Sequence, residues 1–68
     1  MTNKLKVARV GLQLTQQELA QLAGVSRQTI HAIETSKYVP STLLALKLGQ
    51  ILALPVEQIF QLEPQDMG

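Results

Sequence analysis

Apolar residues recur three and four positions apart along nearly the whole chain, the spacing of one helix face, and Gly or Pro interrupts the pattern roughly every dozen residues. The pattern predicts five short helices. The first covers about Lys4–Leu12, with Leu5, Ala8 and Leu12 inward and Gly11 weakening its end. The second runs from Thr15 to about Ala23. There Thr15 can accept from the amide three residues on while Glu18 reaches back to the Thr15 amide, a reciprocal capping box. Gly24 then supplies a turn, and only Val25 precedes Ser26, a good cap for a third helix ending near Thr35. Two helices joined by so short a Gly-containing turn form a helix-turn-helix.

After the loop "TSKYVP", Ser41 caps a fourth helix to about Ala53. Its run of Leu43, Leu44, Leu46, Leu48, Ile51 and Leu52 is too continuous for a surface helix, so this one is expected at the centre. Pro55 fits the first turn of a fifth helix through about Phe60. Residues 1–62 are thus expected to form one domain, and residues 63–68, "EPQDMG", a frayed tail.

At 68 residues the chain has room for one small domain, which buries only roughly 60% of the surface its unfolded form exposes. It has no cysteine, so apolar packing must hold the fold without disulfides or thiolate metal sites, and a hydrophobic content of 46% makes that feasible. The N-terminus lacks the apolar core of a secretory signal, and no 18-residue apolar run exists. A cytoplasmic location and no membrane partner are the expectation.

Net charge is only +1, but it is unevenly placed: residues 1–56 hold all six bases against two acids, and Glu57, Glu63 and Asp66 make the last twelve residues acidic. If the two ends fold apart, one side of the domain is positive. On a helix starting after Ser26, where each residue turns about 100°, Ile30 and Ile33 fall on one side with Thr29. Arg27, Gln28, His31 and Ala32 fill the opposite arc. Arginine pairs bidentately with guanine and glutamine with adenine in the major groove of DNA, which admits a helix. The first amides of the second and third helices, beside Thr15, Gln16 and Ser26, are natural phosphate sites. The competing interpretation is an amphipathic helix with a solvated face.

Catalytic chemistry finds no support. His31 is the only histidine, the four glycines are scattered, and Ser26 is already a cap, so no metal, cofactor, small-molecule ligand or enzymatic activity is expected. Near the C-terminus, Leu54, Val56, Ile59, Phe60 and Leu62 are more than so short a stretch can bury within one chain, which suggests self-association with Leu54 and Phe60 shared across a two-fold axis. Against that, some of the five must close the core beneath the fourth helix.

The ordered series "LTQQELAQLAGVSRQTIHAIE", "KYVPS" and "LALKL" resembles the Cro/C1-type, or Xre-like, helix-turn-helix family from Leu5 to Phe60. Within it the chain is most similar to very short stand-alone repressors of the cytolysin-operon type. The resemblance implies an all-α, five-helix, lambda-repressor-like DNA-binding domain. It also implies that "FQLEP" pairs as a short antiparallel strand with the N-terminal residues. The implied function is a homodimeric transcriptional regulator, a repressor on a pseudo-palindromic site in double-stranded DNA. The family's base-reading positions fall on Arg27, Gln28, His31 and Ala32, its phosphate contacts on Thr15, Gln16, Ser26, Thr35 and Lys37, and its structural ion pair on Arg9 and Glu34.

Three departures stand out. Gln13 occupies a place often held by Gly, Thr35-Ser36 stands where Asn-Gly is common, and Ala53 and Pro55 replace a common Gly and capping Ser. A left-handed backbone at these turns would fall on less permissive residues. The low net charge keeps a second function open: a protein-interaction or antitoxin-like module on the same fold, with weak DNA binding.

Overall fold

A computed structural model describes residues 1–68, with extents of 35 × 21 × 20 Å. A two-residue strand, β1 (Thr2–Asn3), leads into α1 (Leu5–Gly11), α2 (Gln16–Ala23), α3 (Arg27–Glu34), α4 (Thr42–Leu52) and α5 (Val56–Ile59), and β2 (Phe60–Gln61) follows directly. The strands pair antiparallel, Thr2 opposite Gln61 and Asn3 opposite Phe60. No helix is long and apolar enough to cross a membrane.

Local chemistry starts the helices. Thr15 Oγ1 accepts from the Glu18 amide at 3.0 Å while Glu18 Oε1 accepts from the Thr15 amide at 2.8 Å, completing the capping box. Ser26 and Ser41 cap α3 and α4 through amides of Thr29 and Leu44, both at 3.1 Å. The start of α1 uses a longer-range device. Asn3 accepts from the Leu5 amide at 3.1 Å and donates to the Ile33 carbonyl at 2.8 Å, tying the strand to the end of α3.

One motif ends the first four helices. A left-handed residue follows each (Gln13, Gly24, Ser36 and Ala53, with φ of 59°, 74°, 61° and 56°). The next amide then reaches back five residues: Leu14 to Arg9, Val25 to Ala20, Lys37 to Ala32 and Leu54 to Gly49, all at 2.8–3.1 Å. This is a Schellman closure, which supplies donors to carbonyls the helix leaves unpaired. Only one of the four carries the expected glycine, so the departures at Gln13, Ser36 and Ala53 leave the turn type intact and change only the residue that bears it.

The core gathers Leu5, Leu19, Ala20, Ala23, Ile30, Ile33, Leu44, Leu48, Leu52, Ile59 and Phe60 from every helix and from β2. Position 49 is a buried glycine because a Cβ there would stand 3.0 Å from the Leu54 carbonyl oxygen, where the chain turns back toward α5.

Several expectations need correcting. Leu12 is 51% exposed, and Arg9, not a third apolar residue, faces inward from α1. Helix α4 is buried on one side only: Leu44, Leu48 and Leu52 are inside, whereas Leu43 and Leu46 are 69% and 55% exposed. Continuous hydrophobicity cannot distinguish a central helix from one with an apolar outer stripe. The last residues form a 3₁₀ turn, Pro64–Met67, where a frayed tail is expected. There Glu63 and Asp66 each approach the Met1 ammonium at 2.8 Å, so the acidic end folds onto the N-terminus instead of away from it.

Candidate nucleic-acid interface

Helix α3 turns Ile30 and Ile33 fully inward, which leaves Arg27, Gln28 and His31 exposed and Ala32 half-buried. Arg27 has no ion-pair partner in the chain, and neither Arg27 nor Gln28 enters a side-chain hydrogen bond. The first two amides of α2 (Gln16, Gln17) and of α3 (Arg27, Gln28) also lack partners, as helix geometry requires. Two sets of orphan donors and an uncommitted guanidinium therefore share the helix-turn-helix half of the molecule, a combination suited to a polyanion.

The remaining expected contact residues differ in what they have left to offer. Thr15 and Ser26 accept cap bonds, which leaves the Thr15 hydroxyl proton free, while the Ser26 and Thr29 hydroxyls lie 3.0 Å apart. Lys37 is exposed directly after the left-handed Ser36. Thr35 is differently engaged: its hydroxyl donates to the His31 carbonyl at 2.9 Å, with that of Ala32 at 3.3 Å, and so has no proton for a phosphate in this arrangement. Gln16 donates from Nε2 to Glu34 Oε1 at 3.0 Å and lies 3.3 Å from His31 Nδ1. A residue the sequence reading left unassigned is Lys47, whose ammonium would stand 3.7 Å from a Cβ at Gly24, placing a cation beside the turn between α2 and α3. Nothing local marks Lys47, because the contact joins residues far apart in the chain.

Behind α3 sits a fully partnered ion pair. Arg9 Nε donates to Glu34 Oε2 at 2.7 Å and Nη2 to Oε1 at 3.3 Å, while Nη1 donates to the Leu14 carbonyl at 2.7 Å. With the Glu34 side chain only 3% exposed, this bidentate cluster fixes the end of α3 against α1 and the start of α2. Its two charges cancel, so it orients the outer face without adding to its field.

The proposed self-association residues divide. Ile59 is fully buried and Phe60 is 8% exposed, so both close the core of their own chain and have little surface for a second copy. Leu54 and Val56 are half-buried and Leu62 is exposed. Three further apolar residues stand exposed on α4 and the loop before it: Leu43, Leu46 and Val39. A groove of about 330 Å³ runs past Val39, Ala45, Leu46 and Val56.

The architecture and the polar face of α3 define a DNA-binding helix-turn-helix domain. A helix-turn-helix family model matches residues 5–59. The chain is 48% identical over 66 residues to an uncharacterized HTH-type transcriptional regulator of Methanocaldococcus jannaschii, covering 97% of this chain and 100% of that one. It is 42% identical over 66 residues, with the same coverage, to one of Bacillus subtilis. Among solved structures, the restriction-modification controller protein C.AhdI from Aeromonas hydrophila superposes with a TM-score of 0.76 at 28% identity, over 82% of this chain and 85% of that one. The hypothetical transcription factor NHTF from Neisseria gives 0.76 at 25% identity, over 93% and 70%. The chain belongs to the Cro/C1-type helix-turn-helix family, and it is a transcriptional regulator with a helix-turn-helix DNA-binding domain, not an enzyme.

Proposed function

We propose that the protein is a repressor that binds a pseudo-palindromic operator as a homodimer, with one α3 in each of two major grooves roughly 34 Å apart. The observation that carries this reading is the uncommitted outer face of α3, where Arg27 and Gln28 stand exposed beside the unpartnered first amides of two helices. Arg27, Gln28 and His31 read bases, with Ala32 allowing close approach. Lys37, Thr15, Ser26 and the amides at Gln16 hold phosphates. Thr35 contributes through its position at the end of α3, since its hydroxyl is engaged there.

The second copy covers the exposed apolar face of α4. Leu43, Leu46 and Val39, with the half-buried Leu54 and Val56, form the centre of that interface, and Leu62 lies at its edge. The same low net charge, +1, that argues for few phosphate contacts favours an alternative in which this fold serves as an antitoxin-like interaction module.

Selection of bound duplexes from a random pool at two salt concentrations separates the readings. A repressor enriches a two-fold symmetric site and loses affinity steeply as salt rises. An interaction module enriches nothing at either salt, and binding through the apolar face holds or strengthens with salt.

A further inference from the structure

Gln16 occupies a junction between a buried charge and an exposed ring. Glu34, gripped by Arg9, is a carboxylate and can only accept hydrogen bonds. Its contact at 3.0 Å with Gln16 therefore settles which end of the Gln16 amide faces α3: the NH₂ group, Nε2. That nitrogen carries two protons. One goes to Glu34, and the same nitrogen lies 3.3 Å from His31 Nδ1. A donor aimed at Nδ1 requires a lone pair there, and in a neutral imidazole the proton must then reside on Nε2.

We infer that Gln16 is a positioning residue that fixes the tautomer of His31, so that the exposed histidine presents Nε2–H as a donor and selects an acceptor on the base it meets. This rests on the proposal that α3 enters the major groove. Polarity passes outward in steps: Arg9 holds Glu34, Glu34 orients the Gln16 amide, and Gln16 sets the ring. In the major groove guanine presents two adjacent acceptors, N7 and O6, whereas the cytosine edge offers the N4 amino donor. Guanine is accordingly the preferred base opposite His31 and cytosine the least favoured. The assignment also gives the Gln16 side chain a role other than phosphate binding, because both of its amide protons are already engaged, one by Glu34 and one by His31.

The first test needs no DNA. Two-dimensional ¹H–¹⁵N NMR of the imidazole nitrogens in the full-length wild-type chain, recorded on the neutral form of the ring, is expected to show a protonated Nε2 and an unprotonated Nδ1. A protonated Nδ1, or a mixture matching that of free histidine, overturns the inference. The second test compares duplex selection by wild type and by Gln16→Leu, with Gln16→Met as a second variant should the first not fold. Discrimination of guanine from cytosine opposite His31 is expected to fall from up to about tenfold, the value of one hydrogen bond, to under about twofold, with the preferences read by Arg27 and Gln28 intact. An equal loss of affinity for all sequences, with a shallower salt dependence, would identify Gln16 as a phosphate contact and overturn the inference. Failure of the DNA reading itself has a different signature: the wild type enriches no site, while the ring measurement is unaffected.

Discussion

Two surfaces of this small domain are left without cover inside the chain: the outer arc of α3, with Arg27, Gln28 and His31, and the outer side of α4, with Leu43 and Leu46. Both belong to helices capped by a serine and closed by a left-handed residue, and both bury the opposite side in the same core. They differ in their relation to water. The α3 arc is at ease in solvent and gains from an anion, whereas the α4 stripe is an apolar surface that gains only from being covered. An identical backbone plan thus supports a polar face suited to nucleic acid and an apolar face that gains from cover.

The largest effect should come from the cluster behind the first face. Arg9→Met leaves the Glu34 carboxylate buried and unpaired, and is expected to lower unfolding stability by about 3–5 kcal/mol in urea titration. A loss below about 1 kcal/mol would mean that the pair does not anchor α3. Next comes Leu46→Ser, which removes an apolar contact from both partners of the proposed symmetric dimer. At about 1.5–3 kcal/mol per buried leucine, sedimentation should show dissociation to monomers, with the fold of each monomer retained. An unaltered oligomeric state would take Leu46 out of the interface.

Arg27→Ala is expected to weaken binding to the selected duplex by about 1–3 kcal/mol without moving the urea midpoint, which would show that the α3 arc serves recognition and not stability. Smaller again is the gain from Ala53→Gly at the end of α4. A left-handed alanine costs about 1–2 kcal/mol, and the greater freedom of unfolded glycine returns part of that, so a rise of about 0.5–1 kcal/mol is expected in the same titration. Gln13→Gly and Ser36→Gly should act likewise, and no rise at any of the three would contradict strain at these turns.

The smallest effect concerns the tie between the chain ends. Hydrogen bonds from the Met1 ammonium to Asp66 and then Glu63 hold the ammonium above its ordinary value of 8.0, and the same contact holds Asp66 below 3.8. The ammonium's contribution is complete below its ordinary value and lost as pH rises through the raised one. That of Asp66 is present above its ordinary value and lost as pH falls through the lowered one. Asp66→Asn should therefore lower the thermal midpoint slightly near neutrality, with the difference from wild type shrinking in strong acid and in alkali.

The contrast between the two faces also marks what was legible in the sequence. Capping is local, so Thr15 with Glu18, Ser26, and Ser41 could be read from neighbours three residues apart, and with them the five helices and the outward arc of α3. The outer side of α4 was not legible in that way. Leu43 and Leu46 are chemically indistinguishable from Leu44 and Leu48, and only the packed neighbours decide which pair is inside. For the same reason Ile59 and Phe60 could be counted as surface when they are core. Asn3 and Gln16 were illegible in another sense: their partners lie 30 and 15 to 18 residues away, beyond any helical spacing.

The pairing of β1 with β2, and the Met1 ammonium at 2.8 Å from Glu63, bring the two ends of the chain to one place on the domain. In engineering terms the fold has a single doorway. A host protein could carry it as an insert in a surface loop, entering and leaving at that one place. Such an insertion would leave α2, α3 and the loop that follows them unbroken.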